Sequence, residues 1–416
     1  MMIRHRALRE AAILTEVPFD KTITQDRLNI ETKVRSNLFP WNGQFSPQLV
    51  HTFLEAYSRP QDLVLDPFLG SGTVLVEAGR FGAKAFGSEI NPAAFQMARI
   101  YKFINMEIGE RSRILSTLDR RLQVSFGERS LFSPRDQLAS EVETKRRVLD
   151  LWSTEQNRES KSLLGALVVL LDFFKEGPSN DKVLSKWSKL RNLVEQLPYS
   201  QAEIGVANTD ARLLPLQAAS VDLVISSPPY INVFNYHQQY RASAEALGWD
   251  LLHVARSEIG SNRKNRGNRF LTVIQYCLDI AEALKELRRV CRPSARIILV
   301  VGRESNVLKT RFFNGEIVTQ LGVKCVGFKA EKRQERVFQN RFGSAIYEDI
   351  IHFHPNKSDD RFVGVPPVDI ARQALQSALE YAPQESHAGL KDALTNLHNV
   401  KPSTLYESRQ IERSIE

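Results

Sequence analysis

Leu63–Gly79 reads LVLDPFLGSGTVLVEAG. Leu63, Val64 and Leu65 make an apolar run suited to a parallel strand covered on both faces, and Asp66 ends it. Gly70 and Gly72 permit a tight turn with close backbone approach, and Thr73 opens a helical pattern. Such a turn suits a nucleotide-like ligand, although a glycine turn alone does not identify one. The third glycine of the dinucleotide fingerprint and the Gly-Lys-Ser/Thr of a phosphate loop are both missing from this spacing.

Working outward, SPQLVHTFLEAY before the turn reads as a helix and AKAFGSEIN after it as a strand, the rhythm of a βαβ unit. That next strand ends in Glu89, a carboxylate about 20 residues on, where a ribose hydroxyl pair would lie. A solvated strand end is the alternative. Asp210, in ANTDARLLPLQAASVDLVI, sits where a further strand should finish and could accept a hydrogen bond from an adenine amino group or simply cap a turn.

A second buried strand, SVDLVI, runs into SSPPYINVFN at 226–235. Pro228 and Pro229 stop the ladder because neither has a backbone N–H and each fixes φ. The result is a stiff, carbonyl-rich corner followed by Tyr230. Ligands in open α/β sheets lie just beyond the carboxyl ends of strands, so this corner is either a site or an ordinary strand-to-loop turn.

The chain has 416 residues, enough for one large α/β domain with insertions or for two to three units. Hydrophobic residues at 42% and charged residues at 25% fit a soluble globular protein and argue against disorder. A net charge of +8 favours a polyanionic partner. Cys277, Cys291 and Cys325 lack the spacing of a zinc site or a disulfide framework, so no metal is expected. The start, MMIRHRALREAAILTE, has no signal-like apolar run, and LLGALVVLL at 163–171 is too short to span a membrane. A cytoplasmic protein is expected.

The expected divisions are an N-terminal segment and cofactor half over 1–104, a helical insertion over 105–200, a catalytic half over 201–355, and a helical tail over 356–416. Within the catalytic half, 231–270 reads as a polar connector too long for a simple loop. LTVIQYCLDIAEALKELRRV reads as a helix stopped by Pro293, and RIILVVG as a strand. VKCVGFKAE and YEDIIHFHP are two further strand candidates for an antiparallel edge.

Taken in order, DPFLGSGT, SEIN, TDARLLPL and SPPY resemble the motifs of the DNA amino-methyltransferases, S-adenosylmethionine-dependent enzymes that methylate exocyclic amines of DNA bases. The resemblance covers roughly 40–104 and 205–355. It implies an α/β fold with the Rossmann-like, seven-stranded class I methyltransferase sheet, here carrying a helical insertion and a helical C-terminal tail. It also implies S-adenosylmethionine as cofactor, with Phe45, Pro47, Asp66, Phe68, Gly70, Ser71, Gly72, Thr73, Glu89, Asn91 and Asp210 around it. Ser227, Pro228, Pro229 and Tyr230 would then be the catalytic tetrapeptide: Ser227 Oγ and the Pro228 carbonyl hold the amine, and Tyr230 stacks on a flipped base. Serine in the first position points to cytosine N4. Methylation of cytosine carbon 5 would need a cysteine nucleophile, usually after a proline, and no cysteine here follows one.

Duplex DNA is the expected partner, with a restriction endonuclease as a possible companion system. RKNRGNR at 263–269 offers Arg263, Lys264, Arg266 and Arg269 for phosphates, with Arg241 and Arg256 as further candidates. KAEKRQERVFQNR at 329–341 is a weaker second patch, and Tyr236 and His237 either line a base pocket or pack the loop. Adenine-N6 methylation, RNA methylation and a non-catalytic nucleic-acid-binding role stand as alternatives.

Overall fold

Parallel strands can be joined only by crossovers, so apolar runs alternating with amphipathic helices wind up as a sheet covered on both faces. The computed structural model describes residues 13–127, 141–173, 177–231, 236–261, 265, 267–339, 343–356 and 362–407. Its main sheet contains β1 (Leu63–Asp66), β2 (Lys84–Ser88), β3 (Ile204–Ala207), β4 (Val221–Ser226) and β5 (Cys291–Gly302), and, past a small hairpin of β6 (Glu304–Val307) and β7 (Thr310–Phe313), β8 (Lys329–Gln339) and β9 (Ala345–His354). The order is β3-β2-β1-β4-β5-β9-β8. Strands β1 to β5 pair in parallel, and β9 runs antiparallel to both β5 and β8. This is the seven-stranded, mixed methyltransferase sheet that the motifs imply.

The order reverses between β1 and β4, which opens a crevice at their carboxyl ends. There the glycine turn and the proline corner meet: Ser226 Oγ donates to Asp66 Oδ1 at 2.6 Å.

Around the sheet lie α1 (Pro47–Tyr57), α2 (Thr73–Phe81), α3 (Pro92–Ala98), α4 (Ile108–Phe126), α5 (Glu141–Thr154), α6 (Arg158–Leu171), α7 (Asn180–Glu195), α8 (Leu271–Val290), α9 (Pro367–Leu379) and α10 (Gln384–Thr395). Leu115, Leu118 and Leu122 form the buried stripe of α4, and Leu163–Leu171 is buried throughout α6. Both enter the same core as Val64, Val74 and Leu75, so the helices between β2 and β3 share the hydrophobic interior under β1 and its following helix. No helix among the described residues is long and apolar enough to cross a membrane.

Four local expectations need correction. Val323–Phe328 is not strand: Leu321–Val326 is a π-helical turn ending at Gly327 in the left-handed region, and Leu321, Cys325 and Val326 are buried from it. The alternating apolar residues fit either period over so short a run. Pro293 lies inside β5, where the pairing with β4 shifts register between Val221 and Leu223, an irregularity that tolerates a residue without an N–H. The connector is partly helical, with Arg241–Ala246 and Leu251–Ser257. The basic stretch of β8 is internal framework: Lys332 pairs with Asp20, Arg336 with Glu348, and Arg303 with Glu335 at 2.7–3.1 Å. Its edge is covered by the N-terminal segment, where Asp20 N–H donates to the Arg333 carbonyl at 2.8 Å. Arg341 lies outside the described residues.

Candidate active site

The turn after β1 is built on two left-handed glycines, Gly70 at φ 55° and Gly72 at φ 93°. A Cβ on Gly72 would come within 2.7 Å of the buried Tyr101 ring, so this position needs glycine for space as well as for conformation. The turn is latched from below: Gly70 N–H and Asn91 N–H donate to the two oxygens of Glu89, each at 2.7 Å. Asp66 Oδ1 accepts from Ser226 Oγ and from the Phe68 N–H at 3.1 Å. Burial pushes both carboxyls up to about 7, against the hydrogen bonds that favour their charge.

Phe45, Asp66, Phe68, Gly70, Ser71, Thr73, Glu89, Asn91 and Asp210 line one cleft, together with Ser227 and Pro229. Pro47 and Gly72 shape that wall from behind: Pro47 is the buried first residue of α1. Asn91 is also the N-cap of α3, its Oδ1 accepting from Ala93 N–H at 2.9 Å, and its amide holds the Tyr236 carbonyl at 2.9 Å.

Asp210 departs from its expected role. Its Oδ1 accepts from Arg212 N–H and Nε at 3.0 and 2.9 Å, and its Oδ2 from Arg212 Nη2 and Tyr406 N–H at 2.7 and 3.0 Å. Four donors fill the lone pairs of a carboxylate, so no free acceptor is left for an adenine amine.

At the other end, Ser227 Oγ lies 3.2 Å from the Tyr230 hydroxyl. The Tyr230 ring packs on Gly302, where a Cβ would come within 2.9 Å, and it does not line the cleft. Burial pushes its phenol up, so the hydroxyl keeps its proton. Pro228 is buried and does not line the cleft, and no described residue donates to its carbonyl.

Several wall residues escaped the motif reading. Trp41 lies near-parallel to Tyr236 and Tyr240 with centroids 6.2 and 6.3 Å away, and Asn37 holds the Phe45 carbonyl at 2.8 Å. Glu258 grips both Nδ1 and the backbone N–H of the buried His237 at 2.6 Å. Tyr236 thus lines the cleft while His237 anchors the segment behind it. Ser257 lines the cleft 1% exposed, its Oγ without a partner among the described residues. The Asn42-Gly43 pair is the only local signal that a turn precedes Phe45.

Of the basic residues, Arg241 is tied to Glu245 at 2.7 Å. Arg256 and Arg269 are exposed and carry no ion pair among the described residues. Arg263, Lys264 and Arg266 lie outside the described residues.

Residues 15–99 match a family described as DNA methylase. The chain is 33% identical over 100 residues to the Type II methyltransferase M.MjaII of Methanocaldococcus jannaschii, covering 24% of this chain and 18% of that protein. It is 34% identical over 98 residues to the Type II methyltransferase M.MvaI of Kocuria varians, covering 22% and 21%. The alignments thus span about a fifth of these curated relatives. Among solved structures, a SAM-dependent methyltransferase from Methanosarcina mazei matches 73% of the chain and 96% of its own length at 15% identity and a TM-score of 0.32. The rRNA methyltransferase AviRa from Streptomyces viridochromogenes matches 81% and 96% at 12% identity and 0.33. The family match covers the glycine turn and Glu89, which line one cleft with Ser227 and Pro229: over residues 15–99 the chain is similar to the DNA methylases.

Proposed function

We propose that this chain transfers the methyl group of S-adenosylmethionine to the N4 amine of a cytosine flipped out of duplex DNA. The observation that carries the reading is Ser227 lining the same cleft as Glu89 and Asp66, with Pro229 beside it.

The cleft suits the cofactor. Each Glu89 oxygen holds one backbone N–H and keeps capacity for a ribose hydroxyl. Phe45 and Phe68 supply apolar wall, the left-handed glycines let a ligand approach the backbone, and Ser257 Oγ is an unfilled polar atom on the lining. S-adenosylmethionine supplies a methyl group made electrophilic by its sulfonium.

An aromatic amine is a poor nucleophile because its lone pair is delocalised into the ring. Ser227 Oγ and the Pro228 carbonyl accept its two hydrogens, favouring a pyramidal nitrogen with its lone pair aimed at the methyl group. The Tyr230 hydroxyl, held protonated by burial, lies 3.2 Å from Ser227 Oγ and fixes where that oxygen sits. Two consecutive prolines keep the carbonyl from rotating away, which is preorganisation of acceptors before the reaction. The target amine of a duplex is engaged in pairing, so the base leaves the stack to reach this corner. Stacking of that base on Tyr230 requires the ring face opposite Gly302.

Exposed Arg256 and Arg269 are the proposed phosphate contacts, and the sequence between them adds Arg263, Lys264 and Arg266 as further candidates. Protection of host DNA beside a restriction enzyme is proposed by family analogy.

The test is to incubate the protein with unmethylated duplex DNA and labelled S-adenosylmethionine, digest to nucleosides, and identify the product by mass and retention. N4-methylcytosine is expected. N6-methyladenine would overturn the base assignment, and label entering only RNA would overturn DNA as substrate.

A further inference from the structure

After α10 the chain runs through an extended stretch, 400–407, that belongs to no helix or strand. Without a ladder such a segment usually lies exposed and loose. Here Ser403 and Tyr406 are 4% and 5% exposed, and their partners are Asn208, the Asp210–Arg212 turn and Asp279 of α8.

The contacts form one connected set. Tyr406 N–H donates to Asp210 Oδ2 at 3.0 Å and its hydroxyl to Asn208 Oδ1 at 2.7 Å. The Asn208 amide in turn donates to the Glu89 carbonyl at 2.7 Å, at the strand end that carries the proposed ribose acceptor. The carbonyls of Ser403 and Thr404 accept from Arg212 Nη1 and Nη2 at 2.9 and 3.0 Å. Ser403 N–H and hydroxyl hold the two oxygens of Asp279, on which Arg212 Nη1 also bears at 3.0 Å.

Arg212 is thereby a buried cation whose donors are divided among Asp210, Asp279 and two carbonyls of the tail. A buried charge keeps one orientation only while its partners hold it, because losing a partner leaves it uncompensated in a low dielectric. The tail therefore decides where the Asp210–Arg212 turn sits.

We propose that Ser403 and Tyr406 are positioning residues for the cofactor, a strap that fixes Asn208 and the Asp210–Arg212 turn so that affinity for S-adenosylmethionine depends on a segment 196 to 198 residues away in sequence. The inference rests on the cleft being the cofactor site. It explains why Asp210 lines the cleft with its carboxylate fully engaged: the group serves as an anchor for the turn. It also gives the C-terminal tail a place in the enzyme's working parts.

The experiment measures S-adenosylmethionine affinity by calorimetry, kcat at saturating cofactor, and thermal melting, on the wild-type chain and three variants. Tyr406→Ala removes ring and hydroxyl and should weaken affinity at least tenfold. Tyr406→Phe keeps the ring and the backbone donor, removes the hydroxyl that donates to Asn208, and should weaken affinity roughly fivefold, the effect of one net hydrogen bond. Lys391→Ala, exposed on α10, is the control. In the Tyr406→Phe chain the melting temperature should stay near wild type and kcat within twofold, a split that general loosening would not produce. Wild-type affinity in the Tyr406→Ala chain, or a kcat that falls in step with affinity in the Tyr406→Phe chain, overturns the strap. A wild-type chain that binds no S-adenosylmethionine overturns the cofactor reading, and the strap falls with it.

Discussion

The two sides of the cleft are made differently. On the β1–β2 side nearly every polar atom is already committed: two backbone N–H groups hold Glu89, a serine and a backbone N–H hold Asp66, and left-handed glycines set the turn. On the β4 side the acceptors are less committed: no described residue donates to the Pro228 carbonyl, and among the described residues Ser227 Oγ meets only the Tyr230 hydroxyl, at 3.2 Å. The first side is a preformed holder built by local backbone, and the second carries the acceptors proposed to receive the base. Damage to the two sides should accordingly look different, the one costing binding and stability, the other costing turnover.

The largest expected effect falls on the second side. Ser227→Ala removes an acceptor for the amine without touching the glycine turn, and the transfer rate should fall about 100-fold or more, the usual cost of one preorganised hydrogen-bonding group. Cofactor affinity and melting temperature should stay near wild type. Single-turnover methylation paired with calorimetry checks this. A variant within tenfold of wild type in rate would sink the assignment of Ser227, and a variant that lost cofactor binding would erase the contrast between the sides.

Gly72→Ala tests the first side. Alanine must adopt φ near 93° there and meet the Tyr101 ring at 2.7 Å, a ring too deeply buried to swing away. The left-handed penalty and the overpacking together should lower stability by roughly 1–3 kcal/mol. Urea denaturation measures the loss, and cofactor affinity should drop with it because the displaced Gly70 N–H is what orients Glu89. Unchanged stability would mean that the turn is softer than its geometry implies.

How far the sequence foretold this follows the same division. Asp66, Glu89 and Ser227 were legible because each ends a short apolar run, and strand ends in an open α/β sheet converge on one crevice. The glycine turn was legible from spacing alone. What escaped was whatever depends on partners distant in the chain. The basic residues of β8 resembled a phosphate patch because Asp20 and Glu348, which neutralise Lys332 and Arg336, are near them only in space. The β6–β7 hairpin turns on Leu308 and Lys309 at φ 48° and 63°, residues that give no turn signal. Asp210 read as a free acceptor because nothing local foretells that Tyr406 and Arg212 would saturate it. Trp41 carries no periodic signal either; only its stack with Tyr236 and Tyr240 shows that it closes the cleft.

The smallest effect expected is one of pH, and it separates the holder's chemistry from its stability. Burial sets both Asp66 and Glu89 at about 7, above the ordinary 3.8 and 4.5. Between those values the folded chain binds more protons at these two groups than the unfolded chain does. Their contribution to stability is therefore present at low pH and is lost as pH rises through about 7. With Glu89 as the proposed ribose acceptor, cofactor binding runs the other way, because a carboxylate accepts two hydroxyls best when ionised. The melting-temperature increase produced by saturating S-adenosylmethionine should thus grow from pH 6 to pH 8, by at most about tenfold in affinity per unit, while these carboxyls make the cofactor-free chain slightly less stable over the same interval. Thermal melts with and without cofactor at several pH values read both trends at once. A cofactor-induced shift independent of pH would mean that Glu89 is not the ribose acceptor, and the holder would then owe its grip to the glycine turn and the aromatic wall alone.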